Sequence, residues 1–307
     1  MRVLVTGAGG FVGRRLLPYL IEAGHEVVAA TRNPVSATAG QPFKVDAVGP
    51  DTDWSPGLEK VDAVVHLAAR AHVLEETAAD PLAEHRRVNT EGTRRLAEQA
   101  AVAGVKRFVF ISSIGVNGNN SLLAKNGRAF TEEDEPRPHD DYSQSKWEAE
   151  QALANISGIE KVIIRPPLIY GPGVPGNFRR LLGLARKGRL LPLGAVHNKR
   201  SLIGLENLCA LISIALRHEN AAGRTYLVAD GEDVSTAELY TRICRLMDIK
   251  PRLISVPSTL LKGLLAAVGK RRMASRLCDT LLVDAKKARD ELGWKPVQSL
   301  DEGLASA

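Results

Sequence analysis

Two hydrophobic periods alternate along the first half of the chain. Continuous apolar runs occur at residues 2–6 (RVLVT), 26–31 (EVVAAT), 61–68 (VDAVVHLA), 107–112 (RFVFIS) and 162–165 (VIIR). Their length and β-branched content predict buried strands. Between them the apolar period is close to 3.6. Residues 11–23 place Leu16, Leu17, Leu20 and Ile21 on one stripe, with Pro18 inside it and Gly24 as a stop. Residues 89–104 and 142–155 predict further helices. Strands that are apolar throughout are covered on both faces, as parallel sheets are. Right-handed crossovers then give an α/β fold, a Rossmann-type doubly wound parallel sheet.

After Pro166 the alternation weakens. Residues 171–177 (GPGVPGN) form a loop, and 205–216 and 235–247 read as helices, the second opening on the capping-box pair Ser235 and Glu238. We divide the chain at this change: a Rossmann domain over 1–165, and a smaller α/β substrate-binding region over 166–307 with some segments returning to the first. The segment 260–277 mixes leucines with Lys262, Lys270, Arg271, Arg272 and Arg276. It reads as a core-facing helix with a solvated basic face, in preference to an amphipathic surface for an anionic membrane.

Composition narrows the class. A chain of 307 residues, 44% hydrophobic and 25% charged, can bury a sizeable core. The net charge of +6 suits an anionic partner. No Lys/Arg run resembles a nucleic-acid arm, so a small anionic substrate is expected and nucleic acid is not. Three cysteines without a CxxC pair argue against a disulfide framework and against a metal site. The N-terminus breaks into glycines after Thr6, and no run approaches the ~18 apolar residues of a spanning helix. A cytoplasmic protein without a spanning segment is expected.

Gly7, Gly10 and Gly13 lie in TGAGGFVG, where Phe11 and Val12 open the first helix. A glycine turn between a strand and a helix lets backbone N–H groups approach a pyrophosphate at the positive helix end. An NAD(P)-binding role for residues 1–165 follows. The second strand ends Thr31-Arg32, without the carboxylate that accepts from the ribose 2′-hydroxyl in NAD-selective sites. An arginine there can pair with a 2′-phosphate, so NADP(H) is expected over NAD(H). The alternative is that Arg32 stacks on adenine or faces solvent. Tyr142 and Lys146 form YxxxK, one helical turn apart and on one face. A phenol of pKa about 10 exchanges protons more readily at neutral pH beside an ammonium.

The glycine spacing and YxxxK together resemble the extended short-chain dehydrogenase/reductase superfamily, in its NAD-dependent epimerase/dehydratase (UDP-glucose 4-epimerase-like) branch. The resemblance implies that Asp46 holds the adenine amine, although a solvated loop aspartate is the alternative. It lays the cofactor along Ala68 and Ala69. Asn89 of NxxGT and Pro167 of RPPLIYGPG would lie by the nicotinamide. Counting back from Gly118 makes Ser113 the catalytic serine and leaves Ser112 as a strand-end capping residue. His66 is read as a satisfied core histidine. Arg200 in KRSLI would grip the substrate diphosphate, and Asn177 would contact it or serve only the turn. LGWKP near the C-terminus is a further signature. Dehydratases carry Asp-Glu after the catalytic Ser/Thr; Ile114 and Gly115 stand there, which argues against dehydration.

A closer likeness, carried by VHLAARAHV, RPPLIYGPGVPGNF and LPLGAVHNKRSLI, is to bacterial reductases of UDP-2-acetamido-2,6-dideoxy-4-keto-hexoses. It implies NAD(P)H-dependent reduction of a C4 ketone on a UDP-linked deoxy-amino sugar, for surface polysaccharide synthesis. One alternative is a UDP-sugar 4-epimerase with tightly bound NAD. Another is a non-catalytic NADP-binding sensor or structural protein, which the presence of both Tyr142 and Lys146 argues against. The family also implies a homodimer, through the helices beginning near Asn89 and at Tyr142.

Overall fold

The continuous apolar runs become neighbours in one sheet. The computed structural model describes residues 1–33, 39–71, 78–123 and 127–307. Its first half contains β1 (Arg2–Thr6), α1 (Phe11–Glu22), β2 (Glu26–Thr31), β3 (Gln41–Lys44), β4 (Ala63–His66), α2 (Pro81–His85), α3 (Gly92–Val102), β5 (Arg107–Ile111), α4 (Asp141–Ala154) and β6 (Glu160–Arg165). The second half adds β7 (Leu168–Tyr170), α5 (Gly176–Arg186), β8 (Leu202–Gly204), α6 (Leu205–Arg217), β9 (Arg224–Leu227) and α7 (Thr236–Leu246). It ends with α8 (Ser258–Ala267), α9 (Arg271–Cys278), α10 (Lys286–Leu292) and α11 (Leu300–Ala305).

Seven strands run parallel in the order β3-β2-β1-β4-β5-β6-β9. Side chains alternate across the sheet, which explains runs that are apolar throughout. Val3 and Val5 face a layer containing Leu16, Leu17 and Leu20 of α1 and Leu208, Leu211 and Ile212 of α6. Leu4, Val64, Phe108 and Phe110 face the other layer, with Leu96 and Ala97 of α3 and Leu153 of α4. The doubly wound expectation is met.

The second half returns to the first at several places, among them the bridge of Val283 to Phe130. β9 pairs with β6 at the sheet edge, and α6 packs against α1. Strands β7 and β8 form a separate two-stranded parallel sheet. Asn207 of α6, fully buried, secures the C-terminal segment. Its Oδ1 accepts from the Val297 and Gln298 N–H groups at 2.7 and 2.9 Å, and its Nδ2 donates to Asp230 at 2.6 Å and to the Gln298 carbonyl at 2.9 Å. Trp294 of the LGWKP signature donates to the Asn207 carbonyl at 3.2 Å. That signature is therefore a docking device for the end of the chain.

Two expectations change. The helix expected from residue 89 starts at Pro81, where Asp80 Oδ1 accepts from the Ala83 N–H at 3.0 Å. Between α2 and α3 the chain takes a π-helical turn over Arg86–Glu91. Such a turn inserts an extra residue and redirects side chains, here Asn89. The segment 260–277 is two helices, α8 and α9, separated around Gly269. One side is core-facing with the basic residues solvated, as expected, since Leu261, Leu265 and Cys278 share a cluster, but Leu260 and Leu264 are exposed. Among the described residues, no helix is long and apolar enough to cross a membrane. Cys209, Cys244 and Cys278 are buried free thiols.

Candidate active site

Strand order reverses between β1 and β4, whose C-terminal ends part to form a crevice. Gly7 follows β1 with φ +68°, and a Cβ on it would stand 2.8 Å from the Ala68 nitrogen beyond β4. A Cβ on Gly13 would stand 2.4 Å from the Gly7 carbonyl oxygen. Both positions require glycine. Gly10 is the N-cap of α1 and supplies no side-chain cap, and the first turn of the helix holds no acidic residue. The uncapped N–H groups of Phe11, Val12 and Gly13 therefore open on a cradle that fits a dinucleotide pyrophosphate. Ala68 and Ala69 are half-buried on its opposite side. Thr31 is buried at the end of β2, Arg32 is exposed, and Asp46 is exposed and paired with Lys44 at 3.0 Å.

His66 is the core residue expected, and it joins this cradle to the segment that carries Asn89. The Ala68 N–H donates to Thr6 Oγ1 at 3.2 Å, and Thr6 Oγ1 lies 2.6 Å from His66 Nδ1. His66 Nε2 lies 2.9 Å from Thr93 Oγ1, which donates to the Asn89 carbonyl at 2.6 Å. With one proton per hydroxyl, only the neutral Nε2–H imidazole satisfies every group. Burial pushes its pKa down to about 3, and the nearby Lys146 charge adds to the shift.

Helix α4 carries the YxxxK pair. Asp140 caps it through a reciprocal pair of bonds with Ser143, its Oδ1 accepting from the Ser143 N–H at 2.8 Å. Tyr142 is partly exposed, and the buried His85 stands edge-on to its ring at 6.2 Å. Lys146 is buried, its Nζ 4.1 Å from the centre of the Phe110 ring. Burial raises the Tyr142 phenol to about 12, with the Asp140 charge adding to it. Burial lowers Lys146 to about 7, against the pull of Glu150. Ser113 caps the short turn Ile114–Val116, its Oγ accepting from the Gly115 N–H at 3.1 Å. That bond leaves the hydroxyl proton of Ser113 to donate elsewhere. Asn89 does not present its amide to the crevice as a free donor. Its Nδ2 donates to Ser145 Oγ at 2.9 Å and its Oδ1 accepts from the Arg70 N–H at 2.7 Å, which ties the loop after β4 to α4.

Beneath this pair lies a network the sequence reading did not find. Ser112 Oγ donates to Glu150 Oε1 at 2.5 Å, so it is not a strand-end cap. Glu150 pairs with Arg165 at 2.5 Å, both side chains about 95% or more buried. Arg165 also donates to Asn117 Oδ1 at 2.9 Å, and Asn117 Nδ2 donates to the Thr131 carbonyl at 3.0 Å. This accounts for an asparagine at 117. A signal existed: Glu150 lies four and eight residues after Lys146 and Tyr142, on the same helical stripe.

Of the residues expected to meet the substrate or the nicotinamide, Pro167 is buried just after β6 and Asn177 is exposed in the first turn of α5. Arg200 is half-buried, its Nη1 donating to the Asp279 carbonyl at 3.3 Å. Burial lowers its pKa, partly offset by Asp279. Ile114 and Gly115 are buried and carry no ionisable group.

This crevice, with a glycine cradle on one wall and YxxxK on the other, is that of a short-chain dehydrogenase/reductase. The NAD dependent epimerase/dehydratase family model matches residues 3–229, and the chain belongs to that family of extended enzymes. A UDP-glucose 4-epimerase of Vibrio cholerae is 44% identical, over 98% of this chain and 93% of the relative. A UDP-glucose 4-epimerase of Mycolicibacterium smegmatis is 30% identical, over 99% and 96%. The crystal structure of UDP-glucuronic acid 4-epimerase from Bacillus cereus, in complex with UDP-glucuronic acid and NAD, superposes with a TM-score of 0.79 at 21% identity, over 100% of this chain and 97% of that one.

The expectation of NADP(H) is overturned: the family is NAD dependent and the similar enzyme was solved with NAD. The physical reason is that a missing carboxylate removes one NAD contact but does not by itself build a phosphate clamp. Arg32 is a single exposed cation, and such a charge is screened by solvent. The relatives named here are epimerases, and they lend no support to the finer likeness to 4-keto-hexose reductases.

Replacing Glu150 by Ala would leave Arg165 buried and unpaired, at a cost of about 3–5 kcal/mol. Chemical denaturation measures this, and a loss under about 1 kcal/mol would show that water reaches the site. For His66 the folded pKa, about 3, lies below the unfolded value, about 6.5. Between these values the unfolded chain binds a proton that the folded chain does not, so stability falls as pH drops below about 6.5. His25, also lowered by burial, acts in the same direction. His66→Gln is expected to start less stable at pH 8 and to show a shallower decline of melting temperature between pH 7 and 5. A parallel decline would remove His66 as its source.

Proposed function

We propose that the chain is an NAD-dependent 4-epimerase of UDP-hexoses. The observation that carries this reading is Ser113, Tyr142 and Lys146 flanking the crevice of the glycine cradle, in a chain 44% identical to a UDP-glucose 4-epimerase. NAD, bound on the cradle, would take a hydride from sugar C4 and return it. Tyr142 accepts the proton of the O4 hydroxyl and gives it back, general acid–base help worth roughly 10²–10⁴-fold. Lys146, one turn along, would favour the phenolate in its ammonium form. The hydroxyl proton of Ser113 stabilises developing charge on O4. Arg200 grips the diphosphate, with Asn177 of α5 beside it. The substrate region is residues 166–307, with β9 and α6 joined to the NAD-binding unit.

A second reading, reduction of a UDP-4-keto-deoxy-amino sugar with NADH, is favoured by the missing carboxylate at Thr31. Without an acceptor for the ribose hydroxyl, the cofactor is held less firmly and can exchange. We also propose a homodimer formed through α3 and α4, which lie side by side on one face of the sheet; light scattering should give twice the chain mass, and a single-chain mass at micromolar concentration would reject it.

With UDP-glucose and with UDP-N-acetylglucosamine, we expect the 4-epimer to accumulate to equilibrium by NMR without net change in nicotinamide absorbance. Tyr142→Phe should lower the rate about 10²–10⁴-fold. Stoichiometric oxidation of NADH by a UDP-4-keto sugar, with no epimerisation, would replace the first reading by the second. Full activity of Tyr142→Phe would remove the catalytic assignment in either case.

A further inference from the structure

Helices α8 and α9 leave an amphipathic face in solvent. Leu261 and Leu265 of α8 turn inward to a small cluster with Leu193, Val196 and Cys278. On the adjacent, solvent-facing side Leu260, Leu264 and Val268 follow one another at four-residue spacing, 55%, 58% and 65% exposed. Ile254 and Met273, also exposed, flank that stripe in sequence. The charge along this stretch of the chain has one sign. Residues 249–278 contain seven lysines and arginines and no aspartate or glutamate. Lys262 is paired with Asp279 at 2.5 Å, while Lys270, Arg271, Arg272 and Arg276 are exposed.

An aliphatic stripe among unbalanced cations narrows what can cover it. A second copy across a two-fold axis would set these cations against themselves. A nucleic acid would satisfy the cations and leave the leucines in water. An anionic bilayer satisfies both, with leucines at the acyl boundary and basic side chains at the headgroups. We propose that α8 and α9 form a peripheral docking surface for an anionic phospholipid membrane. The contact is peripheral because no described helix can span.

The docking face is joined to the Arg200 segment through Asp279, among other contacts. Helix α9 ends at Cys278, and the carbonyl of Asp279 accepts from Asn198 at 3.0 Å and from Arg200 at 3.3 Å. The Asp279 carboxylate is held by Lys262 of α8 and Ser275 of α9. Seating the two helices on a membrane would hold the Arg200 segment against the same surface.

The test is co-sedimentation of the full chain with vesicles of phosphatidylglycerol and phosphatidylcholine, and with phosphatidylcholine alone. We expect binding to the mixed vesicles, release by high salt, and no binding to the neutral ones. L260E/L264E and K270E/R271E/R272E should each lower the bound fraction about tenfold. Both sets lie at exposed positions, so melting curves and turnover of free nucleotide sugar should stay unchanged. Failure to bind the mixed vesicles, or binding indifferent to both variants, would overturn the proposal. A vesicle-independent oligomer abolished by L260E/L264E would also overturn it, assigning the face to a second copy.

Discussion

A neutral histidine holds the crevice together. His66 sits fully buried at the end of β4, accepting on Nδ1 and donating from Nε2. Through Thr6 it fixes Ala68, opposite the glycine cradle. Through Thr93 it fixes the carbonyl of Asn89, whose amide reaches Ser145 on α4. Ser145 in turn donates to the carbonyl of Tyr142 at 2.8 Å. Both walls are therefore registered by one line of bonds whose direction is set by a single tautomer. Protonation would give the ring two donors, and Thr6, already accepting from Ala68, would lose the acceptor for its own proton. Desolvation and hydrogen-bond direction thus exclude the charged form together.

The second constraint is the Glu150–Arg165 pair under α4. Two charges this deep cost more to desolvate than their attraction alone repays, so their presence says little about net stability. What the pair does is positional. It locks α4 to the end of β6, while Ser112 and Asn117 attach the end of β5 and the turn beyond it to the same carboxylate and guanidinium. Ser113 stands between those two anchors. The distance from the serine to the YxxxK helix is then set by buried charge-assisted bonds, which tolerate little displacement.

Much of this was legible in the chain. Long apolar strands and the glycine turn are local signals, and β1, β2, β5 and β6 fell close to where the periodicity put them. Strands β7 and β8, of three residues each, are too short to show any period. The start of α2 was hidden because the charged PLAEHRRV stretch offers no apolar stripe, although Asp80-Pro81 is a helix-start pair. Ser112, Glu150, Arg165 and Asn117 are far apart in sequence, and only the β5–β6 pairing and the packing of α4 across it bring them together. His85 meets Tyr142 only because α2 packs against α4, a contact that leaves no local pattern in the sequence.

The cofactor expectation failed for a related reason. One side chain at the end of β2 does not decide selectivity, because removing an acid is not equivalent to adding a phosphate site. A 2′-phosphate needs several donors in a fixed arrangement, whereas Arg32 is a single cation in solvent. The glycine turn was legible because glycine is required there by backbone contact, at 2.8 Å from Ala68 and 2.4 Å within the turn itself. Backbone geometry leaves a mark at every residue it constrains. A charge preference leaves one only when the surrounding donors are known, and those come from chain segments that meet only in the fold.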